Sequence, residues 1–181
     1  MAMSMPANAW TLEELHRLPD DGNKYELIRG ELFVTPPPSV DHEEVLARLS
    51  TVLTRYVEKH GLGRVYHPRA VVRFERSEAE PDLMVRSVPF GVYGNAWEKL
   101  PPPLLVVEVL SPFTRRRDLV EKREYYLDAG AAEYWVLDGE HRELRVIRRG
   151  VEDVLIRDVL VWPAVPAEPL TLELAELFSP G

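Results

Sequence analysis

Cysteine is absent from this chain of 181 residues. Its absence excludes disulfide bonds, thiolate zinc sites and cysteine nucleophiles. Three motifs of well-known enzyme classes are missing too: the glycine-rich phosphate loop, the HExxH helix of zinc peptidases and the GxSxG turn of serine hydrolases. The absence of these motifs removes the nucleotide-binding, zinc-peptidase and serine-hydrolase interpretations.

Long apolar runs are also missing, since the longest cover only about seven residues. A helix needs about 20 apolar residues to cross a bilayer. The N-terminus lacks both the basic region and the apolar region of a secretory signal. We therefore expect a cytoplasmic protein that does not enter a membrane, with disorder in about the first nine residues.

Positive charge is scarce, because the net charge is −8 and the isoelectric point is near 5.2. This balance weighs against wrapping a long stretch of nucleic acid but leaves room for a local basic cleft. Glutamine is absent, and arginine outnumbers lysine 18 to 4. These counts and the 16 prolines fit a thermophile, although a GC-rich genome would give the same arginine bias.

The pattern of apolar residues predicts an α/β fold in which a mixed sheet is flanked by helices, as a single domain over residues 1–181. Residues 104–110 (LLVVEVL) are apolar at nearly every position, which is typical of a central strand covered on both faces. We expect helices at 11–18, 39–60, 114–129 and 172–178, a hairpin at 24–34, and strands at 64–74, 82–85, 104–110, 133–137, 144–147 and 154–156, with a long loop at 86–103.

Glu108 is an ionisable residue inside the most apolar of these strands. An unpaired carboxylate there would cost several kcal/mol or would become neutral. It therefore needs a cation, a metal ion or water at an open strand end. A position at a cleft edge or a structural ion pair would satisfy that need as well as a catalytic site would.

Asp82 follows Pro81 at the start of another short apolar strand. If the two strands are neighbours, Asp82 and Glu108 can converge on one ion. Two carboxylates, waters and a phosphate oxygen make a suitable Mg²⁺ site. Taken alone, a Pro-Asp dipeptide usually marks only a turn.

Lys122 lies on the predicted helix 114–129, at the border of its apolar stripe and away from the acidic face. One interpretation is that its side chain snorkels to solvent, and another is that it pairs with Asp118 at i,i+4. The functional alternative is a cation close to Glu108 that orients an attacking water and stabilises developing charge on a phosphate.

Several motifs occur in a fixed order along the chain. They are YELIRGE at 25–31, PPPSVDH at 36–42, PDL at 81–83, EVLSP at 108–112, then Asp118, Lys122, Tyr126, Gly130 and EYW at 133–135. Together they resemble the Uma2 family, formerly a domain of unknown function, within the PD-(D/E)XK restriction-endonuclease-like superfamily. The resemblance extends from about Trp10 to Phe178.

This resemblance implies a restriction-endonuclease-like fold and metal-dependent phosphodiester hydrolysis. It implies that Asp82 and Glu108 are the metal ligands, with Mg²⁺ or Mn²⁺ as the ion. The lysine that the superfamily carries two residues after the acid would fall at Leu110. The resemblance implies that Lys122 fills the same space as a migrated lysine.

Secondary candidates lie near the start of the long helix and in the hairpin. His42 and Glu43 are either additional site residues or helix-cap residues. Glu26 and Glu31 have either a structural role or a role at a cleft edge. Three consecutive arginines could contact phosphates or could simply be solvated, namely Arg115, Arg116 and Arg117.

The leading hypothesis is an Mg²⁺-dependent endonuclease acting on DNA, in which Lys122 positions or helps deprotonate the attacking water. The rival is a catalytically weak or inactive module of the same fold that binds protein or nucleic acid. A homodimer is expected only because dimers are common. Tyr93, Trp97 and Trp162 would then mark an interface, unless they are core residues.

Overall fold

The computed structural model describes residues 9–89 and 97–179. The expected N-terminal disorder and Tyr93 lie outside these ranges. The helices are α1 (Leu12–Leu15), α2 (Val40–Lys59), α3 (Arg115–Arg117), α4 (Arg123–Asp128) and α5 (Leu174–Leu177), with a 3-10 turn at Trp97–Lys99 and a π-helical turn at Asp118–Lys122. The strands are β1 (Lys24–Ile28), β2 (Glu31–Thr35), β3 (Arg64–Tyr66), β4 (Val72–Phe74), β5 (Ser77–Ala79), β6 (Leu83–Arg86), β7 (Pro103–Val109), β8 (Glu133–Asp138), β9 (Glu143–Ile147), β10 (Val154–Ile156), β11 (Val159–Trp162) and β12 (Leu170–Glu173).

The central sheet has six strands in the order β10-β9-β8-β7-β6-β3. Strands β7 and β8 pair in parallel, and the other neighbours are antiparallel. Buried side chains of α2 such as Leu49 and Leu53 pack with Val107 on one face. Tyr126 packs with Val106 on the other. The sheet is therefore mixed and covered on both faces, and this confirms the predicted fold class and the central position of β7.

A second sheet, in the order β2-β1-β5-β4, is antiparallel and lies beside the first. Its β1–β2 hairpin turns at Arg29 and Gly30, whose φ angles are +52° and +86°. Two consecutive positive φ values match the hairpin turns that suit the twist of the strands. The predicted hairpin is confirmed, and its first strand carries two of the side chains described below.

Helices α1 and α2 begin where capping residues predict. Thr11 caps α1 and exchanges hydrogen bonds with Glu14, a complete capping box. The Oγ of Ser39 accepts from the backbone N–H of His42 at the start of α2. Because this cap fixes the first turn of α2, it also fixes the position of His42. Within the described residues, no helix has the length and apolar character needed to span a bilayer.

Two predicted elements are wrong. The strand expected over residues 64–74 is two strands in different sheets, because Pro68 has no N–H to donate and the chain turns between His67 and Ala70. The helix expected over 172–178 begins only at Leu174, because Leu170 and Leu172 alternate inward as β12 against β11. Strands β5, β11 and β12 are additions to the predicted order.

The segment expected as one helix over 114–129 contains the π-helical turn between α3 and α4. Such turns are rare and are often found at functional sites. Here the wider turn directs both Asp118 and Lys122 into the interior, where each is almost completely buried.

The aromatic residues considered for an interface differ in how deeply they are buried. Trp162 is 3% exposed and packs edge-on against Trp135 with the ring centroids 5.3 Å apart, so it is a core residue. Trp97 is partly buried against Tyr66. The interface interpretation of Trp162 is therefore wrong.

Candidate active site

The register of strands β6 and β7 places the two acids side by side. Leu83 pairs with Val107, so Asp82 and Glu108 are the next positions along the two antiparallel strands. The backbone N–H of Val109 donates to Oδ2 of Asp82 at 2.9 Å. Both carboxylates line a cleft of about 870 Å³.

Asp82 is buried, and its two carboxylate oxygens have different partners. Oδ1 accepts from Nζ of Lys24 at 3.1 Å, and Oδ2 lies 3.0 Å from Nε2 of His42. Burial alone would raise the pKa of Asp82, but Lys24 and His42 hold it well below its ordinary value. Burial alone would lower the pKa of His42, and its hydrogen bond with Asp82 raises it. Asp82 is therefore an anion held in a fixed orientation.

Glu108 is oriented from inside the protein. Its Oε1 accepts from Nζ of Lys122 and from the hydroxyl of Tyr126, each at 2.7 Å. Its Oε2 has no hydrogen-bond donor among the described residues, and Nζ of Lys24 lies 4.0 Å away. Burial raises the pKa of Glu108 to about 8 against the attraction of Lys122, and the negative charge of Asp82 adds to the rise. Glu108 thus presents one free oxygen on the side of Lys24.

Lys122 has no exposed surface. Its ammonium lies 2.7 Å from Oε1 of Glu26, 2.7 Å from Oε1 of Glu108 and 3.7 Å from Oδ1 of Asp118. Burial would lower the pKa of Lys122, but the two glutamates raise it. The snorkelling interpretation is wrong, because the side chain ends in a cage of carboxylates. The expected i,i+4 contact with Asp118 exists, but it is the longest of the three.

Glu26 connects the hairpin to this cage. Its Oε1 accepts from the backbone N–H of Glu80 at 2.9 Å as well as from Lys122, and its Oε2 lies 3.6 Å from Arg117. Burial would raise the pKa of Glu26, but Lys122 and Lys24 lower it. Glu26 is fully buried and does not line the cleft, which favours the structural role among the two considered for it.

Lys24 is a site residue that the sequence analysis did not identify. Its Nζ donates to the carbonyl of Glu80 and to Oδ1 of Asp82, each at 3.1 Å. Burial would lower the pKa of Lys24, but Asp82 and Glu108 raise it well above its ordinary value. Lys24 lies two positions before Glu26, and alternate strand residues share a face. That spacing is the signal that could have revealed it.

The remaining candidates lie farther out. Glu43 lines the cleft with a side chain that is 58% exposed, and its Oε1 lies 3.5 Å from Nδ1 of His42. Glu31 is exposed on β2. Phe113, which the sequence did not single out, lines the same cleft and is 84% exposed. The outer part of the cleft thus combines a carboxylate and an exposed aromatic ring.

The three arginines expected to contact phosphate point in different directions. Arg115 donates to Oδ2 of Asp138 at 2.6 Å, and Arg116 lies 3.3 Å from Oε1 of Glu121. Arg117 is almost buried and donates to Oγ1 of Thr35 at 2.7 Å. Each guanidinium thus has a protein partner, and the three do not form one continuous patch.

The donor chemistry between Asp82 and Glu108 fits a divalent cation. Oδ1 of Asp82 and Oε2 of Glu108 both lie within 4.0 Å of one atom, Nζ of Lys24. Carboxylate oxygens suit Mg²⁺, which retains waters for its other positions.

A second group of donors lies at the turn after β8, where ligand atoms of Asp138, Glu140 and His141 fall within 4.8 Å of one another. Asp138 is already engaged by Arg115 and by the N–H groups of Glu140 and His141. Glu140 and His141 are exposed. The three donors therefore lie together because Asp138 closes the turn after β8.

The mixed sheet covered by helices on both faces is the restriction-endonuclease-like fold that the sequence motifs predict. The chain belongs to the Uma2 family, described as "Putative restriction endonuclease", which it matches over residues 12–177. This confirms the resemblance found in the sequence motifs and places the protein in a nuclease-like family.

A solved structure from Anabaena variabilis ATCC 29413, described as "a putative nuclease belonging to DUF820", has the same fold. Its TM-score is 0.77 at 21% sequence identity, and the match covers 94% of this chain and 98% of that one. At this identity the likeness shows the fold alone. No curated protein matches the sequence.

Proposed function

We propose that the protein is a metal-dependent endonuclease that hydrolyses phosphodiester bonds in DNA. The observation that carries this proposal is the pair of carboxylate oxygens, Oδ1 of Asp82 and Oε2 of Glu108, that flank Nζ of Lys24 at 3.1 and 4.0 Å on one cleft. Membership of a family of restriction-endonuclease type supports the same reaction class.

Asp82 and Glu108 would hold the ion. When bound, Mg²⁺ or Mn²⁺ supplies positive charge that polarises the phosphate and lowers the pKa of a coordinated water. The N–H of Val109 and the ring of His42 hold Asp82, and Lys122 and Tyr126 hold Oε1 of Glu108 so that Oε2 stays free. Prior orientation of charged groups avoids reorganisation during the reaction.

Lys122 would act through Glu108. The sequence predicts that this lysine positions or helps deprotonate the attacking water, but its ammonium is enclosed by Glu26, Glu108 and Asp118 and does not line the cleft. The geometry supports a positioning residue that fixes the angle of the Glu108 carboxylate. A correctly held ligand determines where a water and a phosphate meet.

The reaction is a hydrolysis. The oxygen of a water molecule forms a bond to phosphorus while the bond from phosphorus to the leaving sugar oxygen breaks. The proton lost by the water passes to solvent, and the leaving oxygen takes up a proton. Neither carboxylate needs to become covalently attached to the substrate, and both keep their hydrogen bonds to the protein.

The surroundings of the cleft favour a protein that contacts a few nucleotides rather than one that wraps a long duplex. The net charge is −8, and the three consecutive arginines are directed apart. Phe113 at the cleft offers an exposed ring, and aromatic rings stack on unpaired bases. We therefore propose DNA with an unpaired base near the cleaved phosphate as the preferred substrate.

The test combines ion binding with cleavage. Mn²⁺ binding is measured by calorimetry, and cleavage is measured on short single-stranded and duplex DNA, for the wild type, Asp82→Asn and Glu108→Gln. Both variants are expected to bind Mn²⁺ far more weakly and to lose at least about a hundredfold in kcat. Asp158→Asn, an exposed aspartate, is the matched control and is expected to behave as the wild type.

Two results would contradict the proposal. Equal Mn²⁺ binding by the wild type and Asp82→Asn would remove the metal site from this cleft. A wild type that binds Mn²⁺ and DNA but cleaves neither form of DNA would favour the rival function, a binding module with the nuclease fold.

A further inference from the structure

Two lysines lie near different oxygens of Glu108. Lys122 donates to Oε1 from the interior, and Lys24 lies 4.0 Å from Oε2. Lys122 has no exposed surface, whereas the side chain of Lys24 is 18% exposed and lines the cleft. A substrate in the cleft could reach Lys24 but could not reach Lys122.

The ammonium of Lys24 does not use all of its hydrogen-bond donors within the protein. An ammonium has three N–H donors. In Lys24 two of them are used, by the carbonyl of Glu80 and by Oδ1 of Asp82. For the third, the described residues offer no acceptor within hydrogen-bonding distance, since Oε2 of Glu108 is 4.0 Å away. Lys24 therefore retains donor capacity that an oxygen of the substrate could use.

Lys24 also shares its acceptors with the proposed ion. Oδ1 of Asp82 and Oε2 of Glu108 flank the ammonium, and the same two oxygens are the ones assigned to the divalent cation. Two cations cannot both occupy the space between them, because like charges at such distances repel by several kcal/mol even in a partly polar site. Binding of the ion must therefore move the ammonium away from Asp82.

We infer, on the basis of the proposed nuclease function, that Lys24 is a catalytic residue with two successive contacts. Without the ion it donates to Oδ1 of Asp82, and with the ion it donates to a non-bridging oxygen of the substrate phosphate. The contact stabilises the negative charge that develops there, and Lys24 gives up no proton. Lys24 would thus stabilise the developing charge on the phosphate, which is one of the roles that the sequence predicts for Lys122.

The experiment compares Lys24→Met with Lys24→Arg, which keeps the charge, and with Lys59→Met as the matched control. Lys59 is an exposed lysine that pairs with Glu168 at 2.6 Å. Mn²⁺ affinity is measured by calorimetry without DNA, and kcat is measured on short DNA.

Lys24→Met is expected to bind Mn²⁺ about tenfold more tightly, because the competing charge is gone. Its kcat is expected to fall about 10²–10³-fold, the usual effect of losing one donor to a developing anion. Lys24→Arg should keep the Mn²⁺ affinity of the wild type and part of its activity, and Lys59→Met should match the wild type in both measurements.

Unchanged Mn²⁺ affinity or unchanged kcat in Lys24→Met would overturn the inference. Should that variant not fold, a crystal structure of the wild type with Mn²⁺ decides the matter. Nζ of Lys24 is expected away from Oδ1 of Asp82, and an ammonium still hydrogen-bonded to that oxygen beside the ion would overturn the inference. A wild type that neither binds Mn²⁺ nor cleaves DNA would instead refute the proposed function, before any variant is compared.

Discussion

Nζ of Lys122 lies 2.7 Å from Oε1 of Glu108, and the lysine has no surface exposed to solvent. Ion pairs at this depth carry a large desolvation cost, so each member depends on the other. Lys122 also bonds Glu26 at the same distance and thereby connects β1, β7 and the π-helical turn. Its position explains why Oε1 of Glu108 is bound inside the protein while Oε2 is left free.

The first prediction concerns the stability that Lys122 provides. Lys122→Met leaves Glu26 and Glu108 without their shared cation, so the free energy of unfolding should fall by about 3–5 kcal/mol. Urea denaturation measures the change. Lys59→Met should change it by less than about 0.5 kcal/mol, because exposed ion pairs contribute little. Equal stability of the two variants would show that the buried cage does not depend on Lys122.

The second prediction separates two neighbouring arginines. Arg116 is 85% exposed, so Arg116→Met should leave stability unchanged. If it contacts a DNA phosphate, the slope of log affinity against log salt should become less steep by about 0.9. An unchanged slope would remove Arg116 from the DNA contact.

Arg117 should behave in the opposite way. Arg117→Met removes the bond to Thr35 and a cation 3.6 Å from the buried Glu26, so it should lower the free energy of unfolding by about 3 kcal/mol. Urea denaturation measures this as well. A stable Arg117→Met with weaker DNA binding would mean that Arg117 turns outward to the substrate.

The third prediction concerns Phe113. Its turn is held by backbone and side-chain bonds between Ser111 and Thr114, and its ring packs against little of the protein. Phe113→Ala should therefore leave stability unchanged and raise KM for single-stranded DNA by about 5- to 100-fold, the loss of one stacked base. Val151→Ala, at another exposed apolar residue, is the control. An equal rise in KM for both variants would exclude a specific stacking role.

The fourth prediction is a pH dependence at Asp138. Burial alone would raise its pKa, but hydrogen bonds from Arg115 and His141 hold it below the ordinary value of 3.8. Between the two pKa values the unfolded chain therefore binds more protons at this carboxylate than the folded protein does. The stabilisation from the charged carboxylate is complete above the ordinary pKa. It disappears as the pH falls through the lower pKa that Asp138 has in the folded protein. Asp138→Asn should lose about 1–3 kcal/mol at about pH 7 and less at about pH 3.5.

Urea denaturation at the two pH values measures this difference. Asp158→Asn serves as the control, because that aspartate is exposed and its side chain has no hydrogen bond among those of the described residues. A loss of stability in Asp138→Asn that is the same at both pH values would show that the charge of Asp138 does not stabilise the turn.

Local chemistry was enough to predict much of the fold. Ser39 caps the long helix where its side chain predicts, Arg29 and Gly30 form the hairpin turn, and the apolar run around Glu108 is the central strand. These features depend on backbone preferences and on short-range periodicity, which any sequence displays directly. The motifs that resemble the Uma2 family could likewise be read from the sequence alone.

Local chemistry could not predict which distant segments pair as neighbouring strands. Residues 64–74 read as one strand, but β3 joins β6 while β4 joins β5. Leu170 to Leu177 fits both a strand and a helix over so short a window, and pairing with β11 decides the first part. Such choices depend on contacts between residues far apart in sequence.

The sequence by itself determined that a charge at Glu108 needed a partner, and it indicated Asp82, at the start of another short apolar strand, as a second acid for the same site. Only the tertiary structure decided which lysine is buried and which one lines the cleft. The π-helical turn buries Lys122 among carboxylates, and the hairpin brings Lys24 to the cleft. The reason is that burial and distance, which set the energy of a charge, arise only when the two sheets and the helix are packed together.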